Sequence, residues 1–155
     1  MIYIFDSNTL IDLFKYYYLE RFPTLWEKFD EMVANKKIVS VSEVGKELED
    51  WGDRLSNWVK NHRQFFLTPT KEELNFVAEI FKNTHFQAML RKKELLQGKP
   101  VADPFIIAKA KISKACVVTQ EKFTKNAARI PNVCAHFSIS CLNLEGFMEK
   151  ENWTF

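Results

Sequence analysis

Residues that interrupt regular structure are scarce in this chain, with four glycines and five prolines among 155 positions. That shortage excludes collagen-like, linker-rich and low-complexity architectures. Cysteine is also sparse. Cys116, Cys134 and Cys141 leave one thiol over in any pairing and show no CxxC spacing, which argues against a disulfide framework and for a reducing compartment, the cytoplasm. Long hydrophobic runs are missing as well. The opening stretch from Met1 to Phe5 ends at Asp6 and lacks a basic flank, so it does not read as a signal peptide. No later run approaches the length of a membrane span, so no membrane partner is expected. Charge of one sign is in short supply too: the net charge is only +2, far from the excess needed to coat a polyanion by charge alone. Affinity for nucleic acid would have to come from local clusters, such as Lys60 to Arg63, Arg91 to Lys93, and the cations recurring from Lys109 to Arg129. Each cluster taken alone reads more simply as a solvated helix face.

What the chain does have is apolar material, 46% of its residues and fourteen phenylalanines. Its length suits a single domain spanning 1–155 with a real hydrophobic core. Met1 to Phe5 is short, β-branched and aromatic, as a buried strand is, and Leu10, Ile11, Leu13, Phe14, Tyr17 and Tyr18 follow at helical spacing. Thr24 with Glu27 and Thr70 with Glu73 match the capping box, predicting helices that end near Ala34 and Lys82. Lys37 to Val41 reads as a second strand, with Ser42 as N-cap of a helix through Leu48. An amphipathic segment from Phe86 to Leu96 reads as a helix stopped by Gly98 and Pro100. Asp103 then reads as an N-cap with Pro104 at the first helical position. Ala115 to Thr119 is the third expected strand, Val133 to Phe137 a fourth, and Cys141 to Glu149 a closing helix.

Strands alternating with helices predict an α/β three-layer sandwich, its central and mainly parallel sheet of four or five strands flanked by helices. In such sheets ligands bind outside the carboxyl ends of the strands. Each of those ends carries an acid: Asp6 with Ser7 and Asn8, then Glu43 and Glu47, then Thr119, Gln120 and Glu121, while Asp103 opens the helix leading into the third strand. Gathered at one rim, these carboxylates repel one another unless divalent cations sit among them, and an oxygen-only set suits Mg²⁺ or Mn²⁺. The competing explanation is that acids at helix starts act as caps and meet the helix dipole. It is the stronger one for Asp103 taken singly and the weaker one for Asp6, while Glu43 taken singly reads better as a surface-helix residue.

At this point the residues resemble a family. Ile4-Phe-Asp-Ser-Asn-Thr-Leu-Ile11 is similar to the opening motif of PIN-domain nucleases, Val41 to Leu48 to the second, Ala102-Asp103 running into Ile106-Ile107-Ala108 to the third, and Val118-Thr-Gln-Glu121 to the fourth. The likeness spans Ile2 to about Phe137 in order and approximate spacing. It departs from the family at Glu121, where Asp is commoner, and at Pro104. The resemblance implies a PIN-like fold and an endoribonuclease of the toxin–antitoxin kind. In it Asp6, Glu47 and Asp103 would hold one ion, and Glu121 would place a second or orient water. Asn8, Thr119 and Glu43 would support them by hydrogen bonds, and Lys122, Lys125 and Arg129 would meet the phosphates of an RNA substrate. An antitoxin protein and a second copy of the chain are the implied partners, the latter also suggested by the aromatics Tyr16 to Tyr18, Phe22, Trp26 and Phe29.

Two rival classes stay open: a PIN-like module that binds RNA or protein without cutting, and a receiver-like phosphate-transfer domain, which lacks a good phospho-accepting Asp on a central strand. A zinc site at Cys134, His136 and Cys141 lacks a fourth ligand, and His62 and His85 have no triad partners.

Overall fold

The computed structural model describes residues 1–90 and 101–155. The expected helix reaching Leu96 therefore lies partly outside the described residues, and its described beginning, Thr84–Leu90, is 3₁₀ rather than α.

Short apolar strands are followed by helices along the chain. Strand β1 (Tyr3–Phe5) leads into α1 (Ser7–Tyr16), and α2 (Pro23–Ala34) leads into β2 (Ile38–Val41). After β2 come α3 (Ser42–Leu48), α4 (Asp53–Asn61), β3 (Phe66–Leu67) and α5 (Lys71–Phe81). The last part contains α6 (Asp103–Ser113), β4 (Cys116–Val118), α7 (Ile130–His136), β5 (Cys141–Leu142) and α8 (Leu144–Lys150). The five strands form one all-parallel sheet in the order β3-β2-β1-β4-β5, with Tyr3 opposite both Ile38 and Cys116. Every residue of β1, β2 and β4 is buried, as expected of strands covered on both faces. The α/β sandwich predicted from the alternation is thus the observed architecture.

Several local expectations are corrected. Val133 to His136 is helical with Phe137 as its C-cap, because Pro131 presets the first turn and Ile130, Val133, Cys134 and Phe137 recur at helical spacing. The true last strand is the apolar pair Cys141–Leu142, which the expected closing helix had absorbed, and that helix starts only after Asn143, whose side chain accepts from the Gly146 amide. Thr24 caps nothing: Pro23 takes the first turn of α2, and Phe22 stands at the cap without a side-chain bond. Ser42 lies inside α3, and its hydroxyl reaches the Glu43 carboxylate at 3.1 Å. Helix α4 and strand β3 went unpredicted. Thr70 is the N-cap of α5 as expected, its oxygen accepting from the Glu73 amide, while the Glu73 carboxylate meets buried Lys109 at 3.3 Å and ties α5 to α6.

The strand order has a consequence for the site. From β1 the chain builds outward through β2 to β3, then returns to build the other way through β4 to β5. The reversal lies between β1 and β4, the place where a crevice opens in such sheets. Asp6 follows β1 there, and Thr119 follows β4.

Candidate functional site

At that reversal a small polar cavity of about 160 Å³ is lined by Asp6, Ser7, Asn8, Glu47, Val101, Asp103 and Glu121. The four acids singled out in the sequence reach one space from four separate stretches of chain. Asp6 and Asp103 are buried, 3% and 8% exposed.

Asp6 is held from several sides. One carboxylate oxygen accepts the Ser7 amide at 2.7 Å, and the other accepts the Thr119 hydroxyl at 2.9 Å. The Thr119 oxygen in turn accepts the Glu121 amide at 3.2 Å, so one hydroxyl couples two of the four acids. Asn8 accepts the Gln120 amide at 3.0 Å and Thr9 donates to the Val118 carbonyl at 2.9 Å, which fastens the start of α1 to the turn after β4. Gln120 adds a brace that sequence reading passed over. Its side chain donates to Asp12 at 3.1 Å and accepts the Leu144 amide at 2.8 Å. The available signal was positional, since Asp12 lies four residues beyond Asn8, on the same helix face.

Glu47 gives an oxygen to the Ala102 amide at 3.3 Å and Glu121 gives one to the Ile130 amide at 3.1 Å. Asp103 is not an N-cap. Ala102 occupies that position, and Asp103 sits within the first turn of α6, where a carboxylate also meets the positive end of the helix dipole. Glu43 is not among the lining residues, its carboxylate being engaged by Ser42. Lys122, Lys125 and Arg129 are exposed on the segment between β4 and α7. His62 stacks on Trp58 at 4.2 Å, and His136 packs against Phe86 at 5.0 Å. All three cysteines are free, and Cys116 and Cys134 are buried.

The electrostatics follow from this crowding. Burial pushes the Asp6 carboxyl up to about 8, and the charges of Asp103 and then Glu121 add to the rise, against the lowering effect of the Thr119 and Ser7 bonds. Near neutral pH the cluster therefore holds a proton or calls for a cation. The donors fit a hard divalent ion: all are oxygens, in a small polar space. Among the described residues no three His, Cys, Asp or Glu side chains already stand in metal-holding geometry. Glu47 and Glu121, each with an oxygen on a backbone amide, would have to turn toward an ion.

A larger cavity of about 770 Å³ lies elsewhere, lined by Phe14, Trp26, Trp58 and Phe65 among others. It contains none of the four acids. Among the described residues no helix is long and apolar enough to cross a membrane.

Comparisons with known proteins come from three directions. A family model described as a domain of unknown function (DUF4411) matches residues 3–155. No curated protein matches the chain. Among solved structures it is similar to VapBC2 from Rickettsia felis bound to a DNA fragment from their promoter, at 14% identity and a TM-score of 0.49, covering 92% of this chain and 98% of that one. It is also similar to PAE2754 from Pyrobaculum aerophilum, at 16% identity and a TM-score of 0.40, covering 89% and 96%.

Proposed function

The chain belongs to the family described as a domain of unknown function, DUF4411, and from its site we propose that it is a metal-dependent endoribonuclease. The observation that carries this reading is the meeting of Asp6, Glu47, Asp103 and Glu121 in one small cavity at the reversal of a parallel sheet. Burial and the neighbouring Asp103 and Glu121 raise the cost of ionising Asp6, an arrangement that folding alone does not favour. It suits a site built for cations.

Asp6, Glu47 and Asp103 would hold one Mg²⁺ or Mn²⁺, and Glu121 would serve a second ion or orient water. Bound there, the ion supplies Lewis acidity toward water and the phosphate oxygens. The chain's own residues do the positioning. Thr119 fixes the rotamer of Asp6 through its hydroxyl and keeps Glu121 nearby through the Glu121 amide. Asn8 holds the turn that carries both. Lys122, Lys125 and Arg129, exposed between β4 and α7, would meet the phosphates of an incoming strand. The preference for RNA, a protein antitoxin as partner and a second copy of the chain belong to the same proposal; RNA and the antitoxin rest on the four motifs, the second copy on the early aromatics too.

The test is cleavage of a panel of single-stranded RNA, tRNA and single-stranded DNA with Mg²⁺, Mn²⁺ or EDTA. Metal-dependent cutting of RNA is expected. Asp6→Asn and Asp103→Asn should each lower it on the order of 100-fold or more while the fold is retained. Undiminished cutting by both variants would remove the site. A second reading is favoured by the amide bonds of Glu47 and Glu121 and by the lack, among the described residues, of a ready three-ligand arrangement. In it the chain binds RNA or protein without cutting, and EDTA leaves that binding unchanged.

A further inference from the structure

Glu121 lines a second cavity as well, an open one of about 570 Å³ whose other walls include Lys122, Phe123, Pro131, Ile139 and Asn143. Phe123 is 64% exposed and takes no part in the hydrophobic core. Tyr16, Tyr18, Trp51 and Phe155 are comparably exposed, but none of them lines this cavity or the acidic one. An isolated exposed ring needs no explanation in itself. This one lines the cavity next to the acids and stands on a segment held at both ends. On one side Glu121 accepts the Ile130 amide at 3.1 Å, and on the other Thr124 and Asn132 exchange two hydrogen bonds, at 3.4 and 2.7 Å. The phenyl ring is thus kept out in water by a segment clamped before and after it.

The walls suit a flat group with apolar faces and a polar edge. Pro131 and Ile139 supply apolar surface, and Lys122 a cation. Asn143 spends its side-chain oxygen on the Gly146 amide at 2.8 Å, which fixes the amide group and leaves its nitrogen as a donor.

We propose that this cavity seats an unpaired nucleobase of a single-stranded nucleic acid, stacked on Phe123, beside the phosphodiester that the acidic cavity engages. The inference rests on the nuclease reading for the identity of the neighbouring bond. Stacking on an aromatic face tolerates any base, while the Asn143 amide favours an acceptor on the base edge. A duplex base, already stacked on its neighbours, does not fit.

Binding of labelled oligonucleotides to the full chain in EDTA at low salt tests the seat without requiring catalysis. Phe123→Ala should weaken binding of single-stranded RNA by about tenfold or more, with the melting temperature unchanged. Phe123→Trp should retain affinity and show fluorescence quenching by the bound strand. The same loss is expected on single-stranded DNA, because the ring reads the base and not the 2′-hydroxyl. An abasic nucleotide at the stacked position should cancel the effect of Phe123→Ala. Equal affinity of the alanine variant for single strands, equal losses on duplex, or no binding by the unaltered chain overturns the proposal, as does a surface at Phe123 that takes up a protein partner alone. Cutting that ignores Phe123 sinks the base seat and leaves the nuclease. Phe123-dependent binding without cutting does the reverse.

Discussion

The acidic cavity and the aromatic region around α1, α2 and α4 are built on opposite principles. In the aromatic region each ring answers another. Phe14 meets Trp26 at 4.8 Å, Trp26 meets Phe29 at 5.4 Å, and Trp58 meets Phe65 at 5.0 Å, mostly edge to face as ring quadrupoles prefer. The polar groups there are satisfied locally, the Trp26 indole donating to the Tyr17 carbonyl at 2.9 Å. In the acidic cavity like charges are brought together and their repulsion is left in place. The aromatic region holds the larger cavity, about 770 Å³ against 160 Å³. Volume alone would therefore point away from the proposed site. Chemistry is better located where the fold tolerates a cost than where it leaves space.

Substitutions can break that contrast, and the largest effect belongs to the aromatic side. Phe29 is fully buried between Phe5, Trp26 and Trp58. Phe29→Ala should cost about 3–5 kcal/mol in denaturant unfolding, while Mn²⁺ affinity of the folded fraction stays unchanged. A selective loss of metal binding with stability intact would mean that the two regions are not separable.

On the acidic side, Thr119 is the hydroxyl that orders the carboxylates. Thr119→Val keeps the shape and removes the bond to Asp6, so Mn²⁺ affinity measured by calorimetry should fall about 10–100-fold, with Thr119→Ser restoring most of it. An unaltered affinity in the valine variant would reduce Thr119 to a packing residue.

Asp6 gives a pH signature of opposite sign to that of a salt-bridged acid. Its carboxyl rises from 3.8 to about 8 on folding, so the native state binds the extra proton. The metal-free protein therefore keeps this group's full contribution below about pH 4 and loses it as pH rises toward 8. In EDTA at pH 8, Asp6→Asn should be the more stable protein by more than about 1 kcal/mol, with the gap closing at pH 4. Mn²⁺ at pH 8 should stabilise the unaltered chain and not the variant. Parallel stability curves for the two would show that Asp6 is not under strain.

Much of this was legible in the sequence, for physical reasons that differ between elements. Buried parallel strands such as Tyr3–Phe5 and Cys116–Val118 announce themselves by unbroken apolar composition. The acids after them stand out because they recur at one strand end after another, although Asp6 is also the N-cap of α1, its side chain accepting from the Ser7 amide. What sequence hid was weaker in local signal. Strands of two residues, Phe66–Leu67 and Cys141–Leu142, are too short to show any period and exist only through pairing with β2 and β4. Val133 to Phe137 looked like a strand because β-branched and aromatic residues count equally for a buried helix face, and Pro131 decided the matter. The brace through Gln120 joins Asp12 to Leu144 across the fold, and spacing marks only its Asp12 end, one turn beyond Asn8 on α1.

The smallest effect sharpens the contrast within a single helix. Glu43 and Glu47 are one turn apart on α3, and strand-end position alone does not choose between them. The fold does. Helix α3 lies close against β3, where a Cβ on Gly45 would stand 3.1 Å from the Phe66 ring, and in that seating Glu47 lines the acidic cavity while Glu43 turns to Ser42. Glu43→Gln keeps an acceptor for the Ser42 hydroxyl, so metal affinity and cleavage should shift by less than about tenfold, below the range of a lost ligand-orienting bond. Glu47→Gln, which removes a charge from the cavity wall itself, should lower both by more. Equal losses in the two variants would mean that α3 presents both acids to the ion, and that its seating against β3 shifts when the site is filled.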